Sequence, residues 1–141
     1  MRGTTHIAAG SVAALYLATS PVQGAAMIAG SLLPDIDVGS SKLGRYNPLS
    51  FVIPHRGVTH SLLVVGLIYW LYEPLAIGMM THIILDMLNP RGVSLLWPLP
   101  FKVKLPIIGN IESGGILDAL IMVLMLVFII YRLVLDSSGS W

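Results

Sequence analysis

The chain has 141 residues, of which 55% are hydrophobic and 11% are charged, and its mean hydropathy is +0.83. Soluble domains carry about 25% charged residues, so this composition excludes an ordinary water-soluble enzyme and predicts a membrane protein. The net charge of +1 leaves no large basic surface for nucleic acid. The sequence has no cysteine, so any metal ligands in its single domain, residues 1–141, must be histidines and carboxylates.

Five apolar helices are predicted, which makes the expected fold an all-α polytopic membrane bundle. Ser20 and Gln23 around Pro21 fit the start of the second helix, and Glu73-Pro74 fits a turn between the third and fourth. A cleaved signal peptide is an alternative for the first segment. The second and fourth helices are shorter than the roughly 20 residues of a full span, so tilted or half-inserted helices are also compatible with the pattern. The helices are expected at about 4–18, 21–33, 58–72, 75–88 and 115–135.

Basic residues fall on one side of this predicted bundle. The N-terminus and the polar loops 34–57 and 88–114 share one face, which receives seven of the eight Lys and Arg residues. Only Arg132 lies toward the other side. By the positive-inside rule the basic face is cytoplasmic, which predicts a multi-pass protein of the inner membrane of a prokaryote.

All four histidines and five of the seven acidic residues fall on the same face, so a polar site is predicted at one membrane edge. His82 and Asp86 are four residues apart and therefore share a helix face. Imidazole and carboxylate together suit zinc, with manganese or iron as alternatives, and this many donors could hold one or two ions. The predicted metal ligands are His6, Asp35, Asp37, His60, His82 and Asp86.

Four further residues are candidates for catalytic roles. Arg56 presents a planar donor group that suits a substrate phosphate, and His55 is a candidate ligand or proton carrier. Glu112 and Asp118 are candidates for a general base or for hydrogen-bond partners that orient the metal ligands. Structural roles are the alternatives: helix caps, a headgroup contact for His55-Arg56, or a hydrogen-bonded pair between His82 and Asp86.

The order of the motifs resembles a bacterial and archaeal family described as membrane-bound, metal-dependent hydrolases, some of them inner-membrane proteins under DNA-damage control. The resemblance extends from His6 to about Trp97 and implies a hydrolase. Its ligand order is similar to that of helical zinc-dependent phospholipase C enzymes. No histidine follows His82, so the likeness implies one or two ions and not three. The motifs are Thr5-His6 with Gly10, Gly30 to Asp37, His55 to Ser61, His82-x-x-x-Asp86, Asn89-Pro90-x-Gly92 and Leu96-Trp97-Pro98.

The predicted function is a metal-dependent hydrolase that acts on a phosphoester or ester at the cytoplasmic membrane interface. Membrane lipid is the expected partner and a possible source of the substrate. A non-enzymatic transporter or sensor of divalent metal is the alternative, although it would need polar residues through the depth of the bilayer. A membrane scaffold, in which the motifs only stabilise helix ends, is a third possibility.

Overall fold

The computed structural model describes residues 1–37, 56–105 and 111–138, and this part of the chain is all-α. Two short 3-10 helices are also present: Leu33–Asp37 follows the second α-helix, and Val58–His60 precedes the third. Val93 and Val103 form an isolated antiparallel bridge in the segment after the fourth helix. The α-helices are α1 (Gly3–Leu17), α2 (Pro21–Gly30), α3 (Leu62–Leu71), α4 (Glu73–Met87) and α5 (Ile116–Ser138).

Local sequence signals mark the starts of α2 and α4. The Ser20 hydroxyl accepts a hydrogen bond from the Gln23 backbone N–H, as predicted, whereas the Gln23 side chain accepts from the N–H and hydroxyl of Thr19. The predicted turn at Glu73-Pro74 is instead the first turn of α4, where proline lacks only an N–H that the helix does not use. Tyr72 is extended and separates α3 from α4.

The fourth helix is the centre of the bundle. It packs against α1, α2 and α3, whereas α5 packs against α1. One buried apolar cluster joins α3, α4 and the bridge segment, and the other joins α1, α4 and Ile111. Because α4 touches three helices, its side chains meet those of chain segments that are distant in sequence.

Glycines allow α2 and α4 to cross with their backbones in contact. A Cβ atom at Gly78 would collide with the carbonyl oxygen of Met27, and one at Gly30 would collide with that of Leu75. Small residues permit this kind of close helix approach in membranes. The crossing places Ser31, directly after α2, beside the α4 turn that carries His82.

Among the described helices, α5 alone is long and apolar enough to cross a membrane. Its 23 residues extend about 34 Å, compared with a hydrocarbon thickness of about 30 Å. The helices α1 and α4 have 15 residues each, or about 22 Å. The prediction of five helices in an all-α fold is therefore confirmed for the described chain, with one candidate span among them.

The glycine crossing generates a stability prediction. Gly78→Ala should lower the free energy of unfolding by about 1–3 kcal/mol, because the added methyl group must push α2 away from α4. Gly66→Ala is the matched control, since a Cβ at this exposed position on α3 meets nothing within 4 Å. Thermal unfolding in detergent micelles, followed by circular dichroism, checks both variants. Equal losses of unfolding free energy in Gly78→Ala and Gly66→Ala would contradict the explanation by helix packing.

Candidate metal centre

Three histidines surround the carboxylate of Asp86. Asp86 lies in the last turn of α4 and is 1% exposed, and the three imidazoles are buried as well. His6 Nε2 lies 3.5 Å from Oδ1 of Asp86. His60 Nε2 and His82 Nε2 lie 3.6 and 3.9 Å from its Oδ2. The structure therefore brings together residues from α1, the 3-10 helix Val58–His60, and α4.

Two cationic groups face the same carboxylate. The amino group of Met1 lies 2.7 Å from Oδ1, and Nε of Arg56 lies 2.9 Å from Oδ2. Arg56 is itself buried, and its Nη1 donates a 2.9 Å hydrogen bond to Asn89 Oδ1. A buried carboxylate is costly unless charges and donors compensate it, so these contacts help to keep Asp86 inside the bundle.

The backbone of Arg56 has φ of 62°, a left-handed conformation that few non-glycine residues adopt. Its carbonyl oxygen accepts a hydrogen bond from the Ser94 N–H at 3.1 Å, and its guanidinium contacts Asp86 and Asn89. Such a conformation persists only where the surroundings hold it. The predicted contact with a substrate phosphate would therefore come from a guanidinium that is already fixed by protein contacts.

The ring of His82 is oriented by a backbone carbonyl. Its Nδ1 lies 2.7 Å from the carbonyl oxygen of Ser31. A carbonyl oxygen can only accept, so Nδ1 carries the proton. In the neutral ring Nε2 then has the free lone pair, and this atom faces Asp86 and also Asp35, whose Oδ1 is 3.6 Å away. Metal-binding histidines are commonly oriented by such a hydrogen bond to the opposite ring nitrogen.

Buried imidazole nitrogens without hydrogen bonds indicate that the cluster can take a ligand. Among the described residues, neither nitrogen of His6 has a hydrogen-bond partner, and Nε2 of His82 has none. Leaving a buried polar atom unpaired costs about 1–3 kcal/mol. A cation would satisfy the one free lone pair of each neutral ring, and nitrogen and carboxylate oxygen are suitable zinc ligands.

The donor atoms form two overlapping groups, each with all its atoms within 4.8 Å of one another. Two ligands on one tetrahedral zinc ion are about 3.3 Å apart, so the observed separations of 3.5–3.9 Å are close to those of a bound set. The residues thus fit one ion, or two neighbouring ions of which only one is bound by His82, because Nε2 carries the single free lone pair of that ring. The groups are His6, Asp35 and His82, and His60, His82 and Asp86.

The rings of His6 and His82 are stacked, with centroids 3.7 Å apart and an angle of 13° between their planes. The in-plane lone pairs of two parallel rings do not converge on one point. Binding of a single ion by both rings would therefore require one of them to tilt. The present arrangement is more easily reconciled with His6 and His82 on different ions.

Of the remaining candidates, Asp35 lies at the edge of this cluster, whereas the side chain of Asp37 lies outside the described part of the chain. The Asp35 side chain is 22% exposed, in contrast to the buried imidazoles, so it marks the side from which solvent reaches the site. Asp37 ends the 3-10 helix that carries Asp35. His55 lies outside the described residues.

Asp118 joins the start of α5 to the start of α1. Its Oδ1 accepts a 2.7 Å hydrogen bond from the Thr5 hydroxyl, and its Oδ2 accepts from the N–H groups of Arg2 and Gly114 at 3.1 and 2.7 Å. Asp118 is fully buried and its contacts are those of an anchor between helices. They also fix the turn of α1 that carries His6.

Glu112, the other predicted catalytic acid, is exposed and lines a pocket of about 350 Å³. Asn89 is shared between this pocket and the histidine cluster, because it also accepts the hydrogen bond from Arg56. The pocket therefore lies next to the cluster and separate from its centre. Its lining residues are Asn89, Pro90, Arg91, Glu112 and Ser113.

Two residues with prominent roles were not predicted as functional from the sequence. Ser31 acts through its backbone carbonyl, which no side-chain pattern reveals. Asn89 belongs to the Asn89-Pro90-x-Gly92 motif but was given no role of its own, yet its amide also donates to the Ile111 carbonyl and to the Ser113 hydroxyl. The position of Asn89 three residues after Asp86, at the end of the same helix, is the signal that could have identified it.

The described chain is thus an all-α protein with one candidate membrane span and a buried histidine–carboxylate cluster. Residues 1–135 match the family described as YdjM inner membrane protein. The chain belongs to this family, and the inner-membrane localisation predicted from the sequence agrees with the name of its relatives. No solved structure matches the chain.

Two kinds of relative illustrate the similarity. Protein YvsG of Bacillus subtilis (strain 168) is 37% identical over 142 residues, which cover 86% of this chain and 88% of the relative. Inner membrane protein YdjM of Escherichia coli (strain K12) is 38% identical over 97 residues, which cover 55% of this chain and 50% of the relative. The YdjM protein of Shigella flexneri gives the same values. The match thus spans half the length of the YdjM proteins.

The contacts of Asp118 generate a prediction. Asp118→Asn should lower the free energy of unfolding by about 1–3 kcal/mol, because an amide has one acceptor oxygen for three donors. Asp136→Asn on the same helix is the matched control, since Asp136 is exposed and its ion pair with Arg132, at 3.5 Å, is worth little. Thermal unfolding in detergent measures both. Unchanged stability of Asp118→Asn with loss of hydrolysis would support the catalytic role predicted from the sequence.

Proposed function

We propose that this chain is a metal-dependent hydrolase that acts on a phosphoester or ester, with membrane lipid as the source of the substrate, at the cytoplasmic face of the inner membrane. The observation that supports the proposal is the meeting of three buried imidazoles and two carboxylates from four chain segments. Buried ionisable groups are expensive in a membrane protein, and they are functional candidates for that reason.

The proposed ligands are His6, Asp35, His60, His82 and Asp86, for zinc or alternatively manganese or iron, as one or two ions. A divalent cation held by such a set polarises a phosphoryl or carbonyl oxygen and activates water for attack. The chain itself supplies orientation, because the Ser31 carbonyl fixes the ring of His82. Asp37 is proposed as a further ligand. His55 is proposed as a ligand or as a proton carrier.

Arg56 contributes positive charge at the same place. Its Nε contacts Asp86, so the guanidinium lies beside the atoms proposed to hold the cation. A fixed, buried positive charge stabilises negative charge as it develops on a phosphoryl oxygen, and it needs no reorganisation during the reaction. The clamp formed by Asp86 and Asn89 therefore makes Arg56 a preorganised electrostatic group.

A multi-pass arrangement is proposed for α1–α4 around the candidate span α5. Apolar side chains on α3 are exposed, with Trp70 at 81%, as expected for a surface that faces lipid. Charge also differs between the two ends of the bundle: the end with the histidine cluster carries Arg2, Arg56, Arg91, Lys102 and Lys104, and Arg132 lies near the end of α5. This asymmetry supports a cytoplasmic location for the cluster.

The pocket beside the cluster is proposed to hold the polar part of the substrate. Arg91 and Glu112, both exposed, place a cation and a carboxylate on the same lining. A phosphoester with an amine, such as the headgroup of a zwitterionic lipid, would match both charges. Arg91 would contact phosphate oxygen atoms and Glu112 would contact the ammonium group.

Loss of ligands should remove both metal and activity. We expect the protein reconstituted with zinc or manganese to hydrolyse lipid phosphoesters, and His82→Ala and Asp35→Ala to lose bound metal and at least about a hundredfold in activity. Elemental analysis of the purified protein and a phosphate-release assay in vesicles measure these effects. Glu73→Gln, at the opposite end of α4, is the control and should change neither.

The same experiment separates the two functional classes. Activity that survives both alanine substitutions would overturn the hydrolase mechanism. Metal that binds and is lost in His82→Ala, without hydrolysis of any phosphoester or ester, would favour the non-enzymatic metal transporter or sensor instead.

The pocket assignment predicts a change in substrate binding. Arg91→Gln and Glu112→Gln should raise KM for a zwitterionic phosphoester by up to about tenfold, or about 1.4 kcal/mol, with kcat nearly unchanged. A substrate without the amine should be affected by Arg91→Gln alone. Steady-state kinetics with the two substrates measures this difference. A fall in kcat with constant KM would contradict a binding role for the pocket.

A further inference from the structure

A short hairpin beside the histidine cluster exposes an apolar tip. Its base is the Val93–Val103 bridge, in which each residue's N–H donates to the other's carbonyl oxygen at 2.9 and 2.8 Å. The tip is residues 96–101, and every one of its side chains is exposed, with Phe101 at 61%. Exposed apolar residues that are contiguous on a surface mark an interaction site. The tip has the sequence Leu96-Trp97-Pro98-Leu99-Pro100-Phe101.

The backbone of the tip is suited to an apolar environment. The N–H of Trp97 donates to the Ser94 carbonyl at 3.1 Å, and the N–H of Leu99 donates to the Leu96 carbonyl at 3.0 Å. Pro98 and Pro100 have no N–H group. Residues 97–100 therefore present no unpaired backbone donor, which removes the N–H share of the cost of moving this loop out of water.

Two exposed lysines, Lys102 and Lys104, follow the tip directly. Apolar side chains next to lysines are complementary to a leaflet of anionic lipid, where the tip contacts acyl chains and the ammonium groups contact headgroups. We infer that residues 96–104 insert into the cytoplasmic leaflet and bind anionic phospholipid. This surface is distinct from the ligand cluster and does not depend on the hydrolase proposal.

The hairpin is attached to the cluster by backbone hydrogen bonds. Ser94 donates to the carbonyl of Arg56, and Leu62 at the start of α3 donates to the carbonyl of Leu95. Leu105, after the lysines, donates to the carbonyl of Met87 at the end of α4. Insertion of the tip would therefore fix the height of the cluster at the headgroup level of the membrane.

Fluorescence of Trp97 tests the inference without any enzymatic assay. Trp70→Phe and Trp141→Phe leave Trp97 as the single tryptophan, and the protein is reconstituted in phosphatidylcholine vesicles with or without phosphatidylglycerol. Lipids brominated near the headgroup end of the acyl chain should quench Trp97 more than deeply brominated lipids. Bromine carried on phosphatidylglycerol should quench more than the same mole fraction carried on phosphatidylcholine, because each lysine near the surface favours anionic lipid by about fivefold.

Charge variants provide the control. Lys102→Gln with Lys104→Gln should abolish the preference for phosphatidylglycerol and leave quenching in pure phosphatidylcholine intact. Arg132→Gln, which removes a charge from α5, should leave the preference unchanged. Should the double tryptophan variant fail to fold, an environment-sensitive dye on Leu99→Cys reports the same insertion, because the natural chain has no cysteine.

Three outcomes would overturn the inference. Trp97 that is quenched by aqueous iodide and by no brominated lipid would place the tip in water. Trp97 that is shielded from both quenchers would indicate a protein partner or a second copy of the chain. Insertion without any preference for phosphatidylglycerol, in protein that retains Lys102 and Lys104, would refute the contact between the lysines and the headgroups. Each result can be read whether or not the protein binds metal or hydrolyses a lipid.

Discussion

The burial of the Asp86 carboxylate is the constraint on which the rest of this structure depends. A carboxylate that is almost fully removed from solvent must be compensated, and here three imidazoles, a guanidinium and the amino group of Met1 face it. These groups come from α1 and the N-terminal residue before it, from the segment before α3 and from α4 itself. The helices consequently pack around a polar centre, and both apolar clusters include residues of α4, the helix that carries Asp86.

Backbone contact between α2 and α4 orients one of the imidazoles of this centre. Gly78 lies one turn before His82, and its lack of a side chain lets the end of α2 approach closely enough for the Ser31 carbonyl to reach the imidazole. The hydrogen bond selects the tautomer in which Nε2 faces the carboxylates. A packing feature that looks purely structural thereby decides which atom of His82 is available to a ligand.

The sequence was sufficient for the parts of the site that follow from helix periodicity and topology. The spacing of His82 and Asp86 predicted a shared face, and the loop arrangement predicted that His6 and His60 would lie at the same end. The Ser31 contact and two of the three Asp118 hydrogen bonds could not be predicted, because they involve backbone groups, which carry no residue-specific signal. The left-handed backbone of Arg56 could not be predicted from the sequence either, because glycine is the residue that usually indicates such a conformation.

The donors of the cluster are spread over the chain from His6 to Asp86. None of the segments that carry them holds the complete proposed ligand set, so an ion bound as proposed would be held tightly only after α4 had emerged from the ribosome and docked on α1. Capture of the ion and completion of the tertiary fold would then be one event. If the proposed ion is bound, metal starvation of the cell would reduce the amount of folded protein as well as the occupancy of the site.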